Sequence, residues 1–131
     1  VKTLQDVDKE GIKIAVAERS AYDLWLTDNI KNADLIRAKS IDESFLIFQE
    51  NKYEVLAGLR PKLADDINKT TDCFILNEPF TFINQCIGSK PGNLEAENFI
   101  NNFVKKNIKN GFVKNLLSKY NVLGKLSLPK N

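Results

Sequence analysis

Apolar and polar positions alternate from Gly11 through Ile12, Lys13 and Ile14, then run into the small apolar Ala15 and Val16. That pattern predicts a strand with a buried end. Ser20 and Asp23 follow at the spacing of a capping box, with Asp in place of the usual Glu or Gln. They open a helix over residues 21–31 with Leu24, Trp25, Leu26 and Ile30 as its apolar face. Residues 34–38 predict a second strand. Ser40 and Glu43 repeat the capping box and open a helix to residue 50, which Phe45, Leu46, Ile47 and Phe48 make well buried. Residues 55–58 predict a third strand. Pro61 suits the first turn of a helix ending near residue 69, because proline lacks only a hydrogen that has no partner there.

Residues 73–76 and 80–87 predict two further strands separated by Asn77, Glu78 and Pro79. The turn-forming Ser89, Lys90, Pro91 and Gly92 then punctuate the chain. Phe99, Ile100, Phe103, Val104 and Ile108 recur at helical spacing, and Asn110-Gly111 ends that helix. Phe112, Val113, Leu116, Leu117 and Tyr120 carry a last helix, and the tail after Val122 is expected to be loosely held. The order is β-α-β-α-β-α-β-β-α-α. Such alternation implies an α/β fold with a mainly parallel open sheet, right-handed crossovers and two C-terminal helices.

A chain of 131 residues suits one compact domain with a real core. The net charge of +2, with most Lys and Arg interleaved with Asp and Glu, gives no reason to expect a nucleic-acid partner. The absence of His removes the usual general base and the commonest transition-metal ligand, and two cysteines cannot build a metal site alone. No metal or cofactor is expected. No apolar run reaches the roughly 20 residues that span a bilayer. No signal peptide is visible, which fits a cytoplasmic chain, a mature chain or a trimmed one.

The strand, turn and capped helix around Ser20 are the main candidate chemistry. Ligands of open α/β sheets sit beyond the carboxyl ends of the strands. There the free N–H groups of Ala21, Tyr22 and Asp23, the Ser20 hydroxyl and the neighbouring Arg19 would favour an anion. The plainer alternative, and from spacing alone the commoner one, is that Ser20 only caps its helix. Arg60, just past the third strand, either pairs with a ligand carboxylate or is a surface arginine beside Pro61. Gly58 permits either a close backbone approach or an easier turn. Tyr22 is a pocket-lining candidate and Trp25 a core one. Of Asn84 and Gln85, alternation turns one inward or into a cleft, unless the strand is an edge facing water. Cys73 and Cys86 flank the Pro79 turn, and would be either a disulfide across a hairpin or two separate buried thiols. Asp6, Asp8, Asp65 and Asp66 read most simply as solvated charges.

The run Val7-Asp8-Lys9-Glu10-Gly11-Ile12-Lys13-Ile14-Ala15-Val16, followed by Ser20-Ala21-Tyr22-Asp23-Leu24, resembles the start of the second lobe of bacterial extracellular solute-binding proteins of the polar amino-acid import class. Gln85-Cys86-Ile87-Gly88, then Asn98-Phe99-Ile100 through Gly111-Phe112-Val113, resemble that family's closing strand and terminal helices. The resemblance implies a periplasmic-binding-protein type II lobe. It divides the chain into a ligand-cleft lobe over 1–84 and, over 85–131, a return strand with helices that pack on a first lobe. The chain would then begin near the first crossing between lobes and cross back near residues 85–90.

The family's carboxylate-gripping arginine belongs to the first lobe, so no residue here takes that role. Where amino-acid binders carry an acid for the ligand's amine, this chain has Gly58-Leu59-Arg60, which favours an anionic or carboxylate ligand. The turn at Arg19 and Ser20 matches a ligand-contacting loop in which the family often has Gly at the position of Arg19. The implied ligand contacts are Arg19, Ser20, Ala21, Tyr22, Arg60 and Gln85.

The implied function is therefore the substrate-binding component of an ABC importer, periplasmic or extracellular, non-enzymatic, with a small polar or anionic solute and a transporter permease as partners. Without a first lobe, the terminal helices are expected to pair with a second copy, exchange between copies, or await the missing lobe. An interaction or sensor domain of the same fold is the alternative. A dehydratase-like enzyme is a weaker one, with only Glu18, Asp23 and Glu78 near a suitable edge.

Overall fold

Four consecutive residues, Ile14, Ala15, Val16 and Ala17, are almost wholly removed from solvent. A strand buried on both faces belongs in the middle of a sheet. Strand β1, Lys13–Ala17, does stand there. It pairs in parallel with β2, Asp34–Ala38, on one side and with β3, Val55–Leu56, on the other, giving the order β2-β1-β3. The computed structural model describes residues 1–123 and 126–128. It shows an α/β chain with this small open parallel sheet and five α-helices among the described residues.

Register assigns the faces. Ile14 lies beside Leu35 and Val55, and Val16 beside Arg37. This face carries helix α1, Ala21–Asn29, whose Tyr22 and Leu26 join Ile14, Val16, Val7 and Ala57 in the core. Ala15 points the other way, beside Ile36 and Leu56. Helix α2, Ile41–Glu50, packs across all three strands, and its buried Ser44 and Phe45 are no part of the α1 cluster. The connections from β1 to β2 and from β2 to β3 run in opposite directions. Crossovers of one hand then place α1 and α2 on opposite faces. The small Ala15 side chain admits α2 close to the sheet. Leu24 and Leu46, counted on the apolar faces from sequence, are exposed instead.

Helix α3, Arg60–Asp66, begins with Pro61 in its first turn and continues as a 3-10 turn, Ile67–Lys69. Asp66 is not a solvated charge but a buried one. It accepts hydrogen bonds from Lys62 (2.7 Å) and Lys69 (3.0 Å), and both ammonium groups lie over the Phe45 ring. Lys62 also reaches Asp42 of α2 at 3.0 Å, so one charge cluster ties α3 to α2. Burial pushes the Asp66 carboxyl up, but the two lysine hydrogen bonds outweigh it and hold it below the usual range.

Asp8 and Asp6 are structural as well. The Asp8 carboxylate accepts the amides of Lys31, Asn32 and Ala33 at 3.0, 2.7 and 3.0 Å, and so clamps the turn that leads into β2. Asp6 collects the amides of Lys2 and Thr3 and the Lys9 ammonium.

Residues 73–76 and 80–87 form no strand, contrary to the sequence expectation. A ladder needs a partner with free backbone groups, and β3 pairs through two residues only. The segment is held by side chains instead. Leu76, Phe80 and Ile83 pack against the core, with Phe80 5.2 Å from the Trp25 ring, and Arg60 takes the carbonyls of Leu76 and Asn77. With no hairpin, Cys73 and Cys86 are neither a disulfide nor buried; both are free, exposed thiols.

The chain divides into two units, Val1–Ile83 and Asn84–Asn131. The second holds helix α4, Leu94–Lys109, capped by Asn93, and helix α5, Phe112–Lys119. Gly111 between them takes φ +79°, the left-handed conformation that lets a helix end and another start. The tail beyond Val122 falls partly on residues 124, 125 and 129–131, which lie outside the described residues.

The Asp8 clamp has a pH signature. Backbone hydrogen bonds from Asn32 and Ala33 lower its carboxyl below the usual value, so its stabilisation is present above the unfolded-state value near 4 and fades as pH falls through the folded one. Asp8→Ala is expected to lower the melting temperature at neutral pH, with the gap to wild type closing in acid. A gap independent of pH removes the clamp from the account.

Candidate functional site

β1 ends at Ala17, and three residues later Ser20 caps α1. Between them Arg19 adopts φ +60°, a conformation that costs a residue with a Cβ about 1 kcal/mol or more. What holds it there is Asp23. The Arg19 amide donates to Asp23 Oδ2 at 2.8 Å, and the Asp23 amide donates to Ser20 Oγ at 3.1 Å. The capping box read from sequence exists, but its acid reaches back one residue further than the cap. Asp23 is only 3% exposed. Its charge is met by Arg37 of β2, whose Nε lies 3.0 Å from Oδ1 and whose Nη2 donates to Thr27 Oγ1 at 2.8 Å.

This arrangement leaves a short row of unused donors. Asp23 and Leu24 spend their amides on Ser20, and the Ser20 amide donates to the Ala17 carbonyl. The amides of Ala21 and Tyr22 have no acceptor among the described residues. Ala21 and the Arg19 side chain are exposed beside them. The turn also stands at the carboxyl end of β1 next to β3, where the direction of winding reverses. That is the switch-point position at which open α/β sheets bind ligands. The N-terminus of α2 has similar backbone geometry, with the Lys39 amide on Glu43 Oε2 at 2.7 Å and the Glu43 amide on Ser40 Oγ at 3.0 Å. Its first turn, however, carries Asp42 as well as Glu43, which opposes an anion.

Tyr22 is 3% exposed and belongs to the core, not to a pocket wall. Its hydroxyl is buried and makes no well-formed hydrogen bond among the described residues, with Ser20 the side chain near enough to interact. Burial pushes the phenol above its ordinary pKa, so it stays neutral.

The other sequence candidates are elsewhere. Arg60 starts α3 past the end of β3, but its Nη2 is committed to the carbonyls of Leu76 (3.0 Å) and Asn77 (2.9 Å). Through that nitrogen it pins a loop. Gly58 serves packing within the chain: a Cβ there would lie 3.2 Å from Leu63 Cδ2. Gln85 is exposed in the second unit. The first unit's depression of about 320 Å3 lies between residues 2–4 and 74–78, away from the Arg19 turn. Among the described residues no group of three or more His, Cys, Asp or Glu side chains could hold a metal ion, and no helix is long and apolar enough to cross a membrane.

Sequence reading missed two features. Arg37 was visible as a cation at an otherwise apolar strand position, the usual mark of a buried partner. The charge distribution is also uneven: all seventeen acidic residues lie at or before Glu97, and seven lysines follow it. Interleaving describes the chain only up to that point. No known protein family, curated protein or solved structure matches the chain.

A buried hydroxyl without a well-formed hydrogen bond is a liability. Tyr22→Phe is expected to raise stability by about 1 kcal/mol in urea unfolding. A clear loss instead would mean that the hydroxyl is bonded in solution.

Proposed function

We propose that the Val1–Ile83 unit is the ligand-cleft lobe of a solute-binding protein of the polar amino-acid import class, built on a periplasmic-binding-protein type II fold. It takes a small anionic solute, such as a carboxylate, at the β1–α1 turn. One observation carries this reading. Arg19 is held in a left-handed conformation at the switch-point edge, beside amides of Ala21 and Tyr22 that have no acceptor among the described residues. Strain at a turn is commonly retained where it serves a ligand. The family often has glycine at this step, and φ +60° is the conformation that favours glycine.

The chemistry is binding without catalysis. Backbone donors and the helix dipole attract the anion, Arg19 adds a cation, and Asp23 stays neutralised by Arg37 so that it does not repel the ligand. Asp23, the best placed acid for a dehydratase, is buried and fully engaged, which weighs against enzymatic use. In this reading the protein works outside the cytoplasm and hands its solute to an importer's permease. Commitment of Arg60 to the loop carbonyls favours a second reading, an interaction or sensor module on the same fold, in which the turn is structural only.

A thermal-shift screen of carboxylates, phosphate and amino acids separates the two. Binding is expected to stabilise the chain by about 2.7 kcal/mol at a hundredfold excess of ligand over Kd. Arg19→Gly should fold with stability within about 1 kcal/mol of wild type, since glycine accepts the conformation at some entropic cost, yet bind the same ligand about tenfold more weakly. A well-folded wild type that responds to no anion leaves the interaction reading.

A further inference from the structure

The second unit presents a surface that the ligand reading does not use. Neither α4 nor α5 contains a buried residue. Leu94, Phe99, Phe103, Phe112, Leu116 and Tyr120 are all exposed, Phe99 by 69% and Tyr120 by 67%. The Phe99 and Phe103 rings stack at 6.3 Å, and Phe99 and Ile100 line a shallow depression of about 400 Å3. Apolar surface on this scale, on one pair of helices, is expected to meet a partner.

Charge says which kind of partner. After Glu97 the sequence has no acidic residue and seven lysines, five of them on α4 and α5: Lys105, Lys106, Lys109, Lys114 and Lys119. Phe112 and Leu116 of α5 and Tyr120 at its C-cap recur one turn apart, and the Lys119 ammonium lies 5.8 Å from the Tyr120 ring. A long aliphatic stem over apolar surface with its charge at the rim is how lysine sits at a lipid interface. Every cation in this stretch is lysine, since no arginine follows Arg60. Arginine's planar fork suits discrete phosphate recognition in nucleic acid, whereas lysine's point charge suits a diffuse anionic surface. The aliphatic Leu94 and Leu116 cannot stack on bases. A second copy and a first lobe are the other candidate occupants; for a second copy, several acids of the first unit (Asp6, Asp8, Asp23 and Asp66) are already engaged internally, and an apolar lobe surface would leave the lysines unused.

We propose that the α4–α5 hairpin docks this chain on an anionic lipid surface, with its exposed phenylalanines in the acyl boundary and its lysines at the headgroups. The inference is independent of the carboxylate site, which lies in the other unit.

The test is co-sedimentation of the full chain with vesicles of phosphatidylcholine alone and of phosphatidylcholine mixed with an equal amount of phosphatidylserine. The chain is expected to pellet with the anionic vesicles and to be released by molar salt. Lys105→Gln/Lys106→Gln should weaken binding by about tenfold or more, and Phe99→Ser/Phe103→Ser should abolish it with unchanged circular dichroism. Because these side chains are exposed, both variants should fold. Three outcomes overturn the proposal. They are absent or equal binding to both vesicle types, a stable dimer in light scattering that Phe99→Ser/Phe103→Ser disrupts while vesicles are ignored, and tighter binding to single-stranded DNA that the phenylalanine variant leaves intact.

Discussion

A carboxylate removed from water has to be neutralised, and the first unit is organised around that requirement at Asp23. The residue sits in the first turn of α1 at 3% exposure. Left unpaired there, it would destabilise the fold by several kcal/mol. Arg37 of β2 supplies the opposite charge, and the amide of Arg19 supplies a hydrogen bond. The first contact locks α1 against the strand beside β1. The second forces the backbone before the helix into the left-handed region. The amides of Ala21 and Tyr22 are left over as in the first turn of any helix, and the turn held by Asp23 sets Arg19 beside them.

Much of this was legible locally. The alternation over residues 12–16 gave the central strand, and the two Ser-x-x-acid boxes gave the starts of α1 and α2, because capping is decided within one turn of chain. Pro61 and Gly111 marked α3 and the α4–α5 break for equally local reasons. The features that were not legible are those that depend on distant partners. Residues 73–87 have strand-like composition, yet whether a segment joins a ladder depends on an edge being offered to it, and Arg60 instead captured its carbonyls. Asp8 looks like a surface charge until the turn at residues 31–33 is brought to it. For the candidate site, the sequence showed the β1–α1 turn and its cap, but it could not show that Arg19 is left-handed, that Tyr22 is core, or that Arg60 Nη2 is engaged by two carbonyls.

The two units use charge in contrasting ways. In the first, carboxylates are structural: Asp8 and Asp23 close junctions between elements separated in sequence, and Asp66 holds Lys62, which reaches Asp42 of α2. In the second, no acid follows Glu97, and the lysines of α4 and α5 are exposed among exposed aromatic side chains. Hydrophobic periodicity alone treats α4 and α5 as ordinary packed helices; the charge pattern is what distinguishes them.

The central claim is that the β1–α1 turn is a built anion site and not only a helix cap. Amide-resolved NMR of the full chain, titrated with a simple carboxylate such as succinate, tests it most directly. The account predicts that the Ala21 and Tyr22 amides move downfield together and saturate, while the already bonded Asp23 and Leu24 amides move little. Shifts confined to the lysine-rich helices, or no saturable shift at Ala21 and Tyr22, would contradict it.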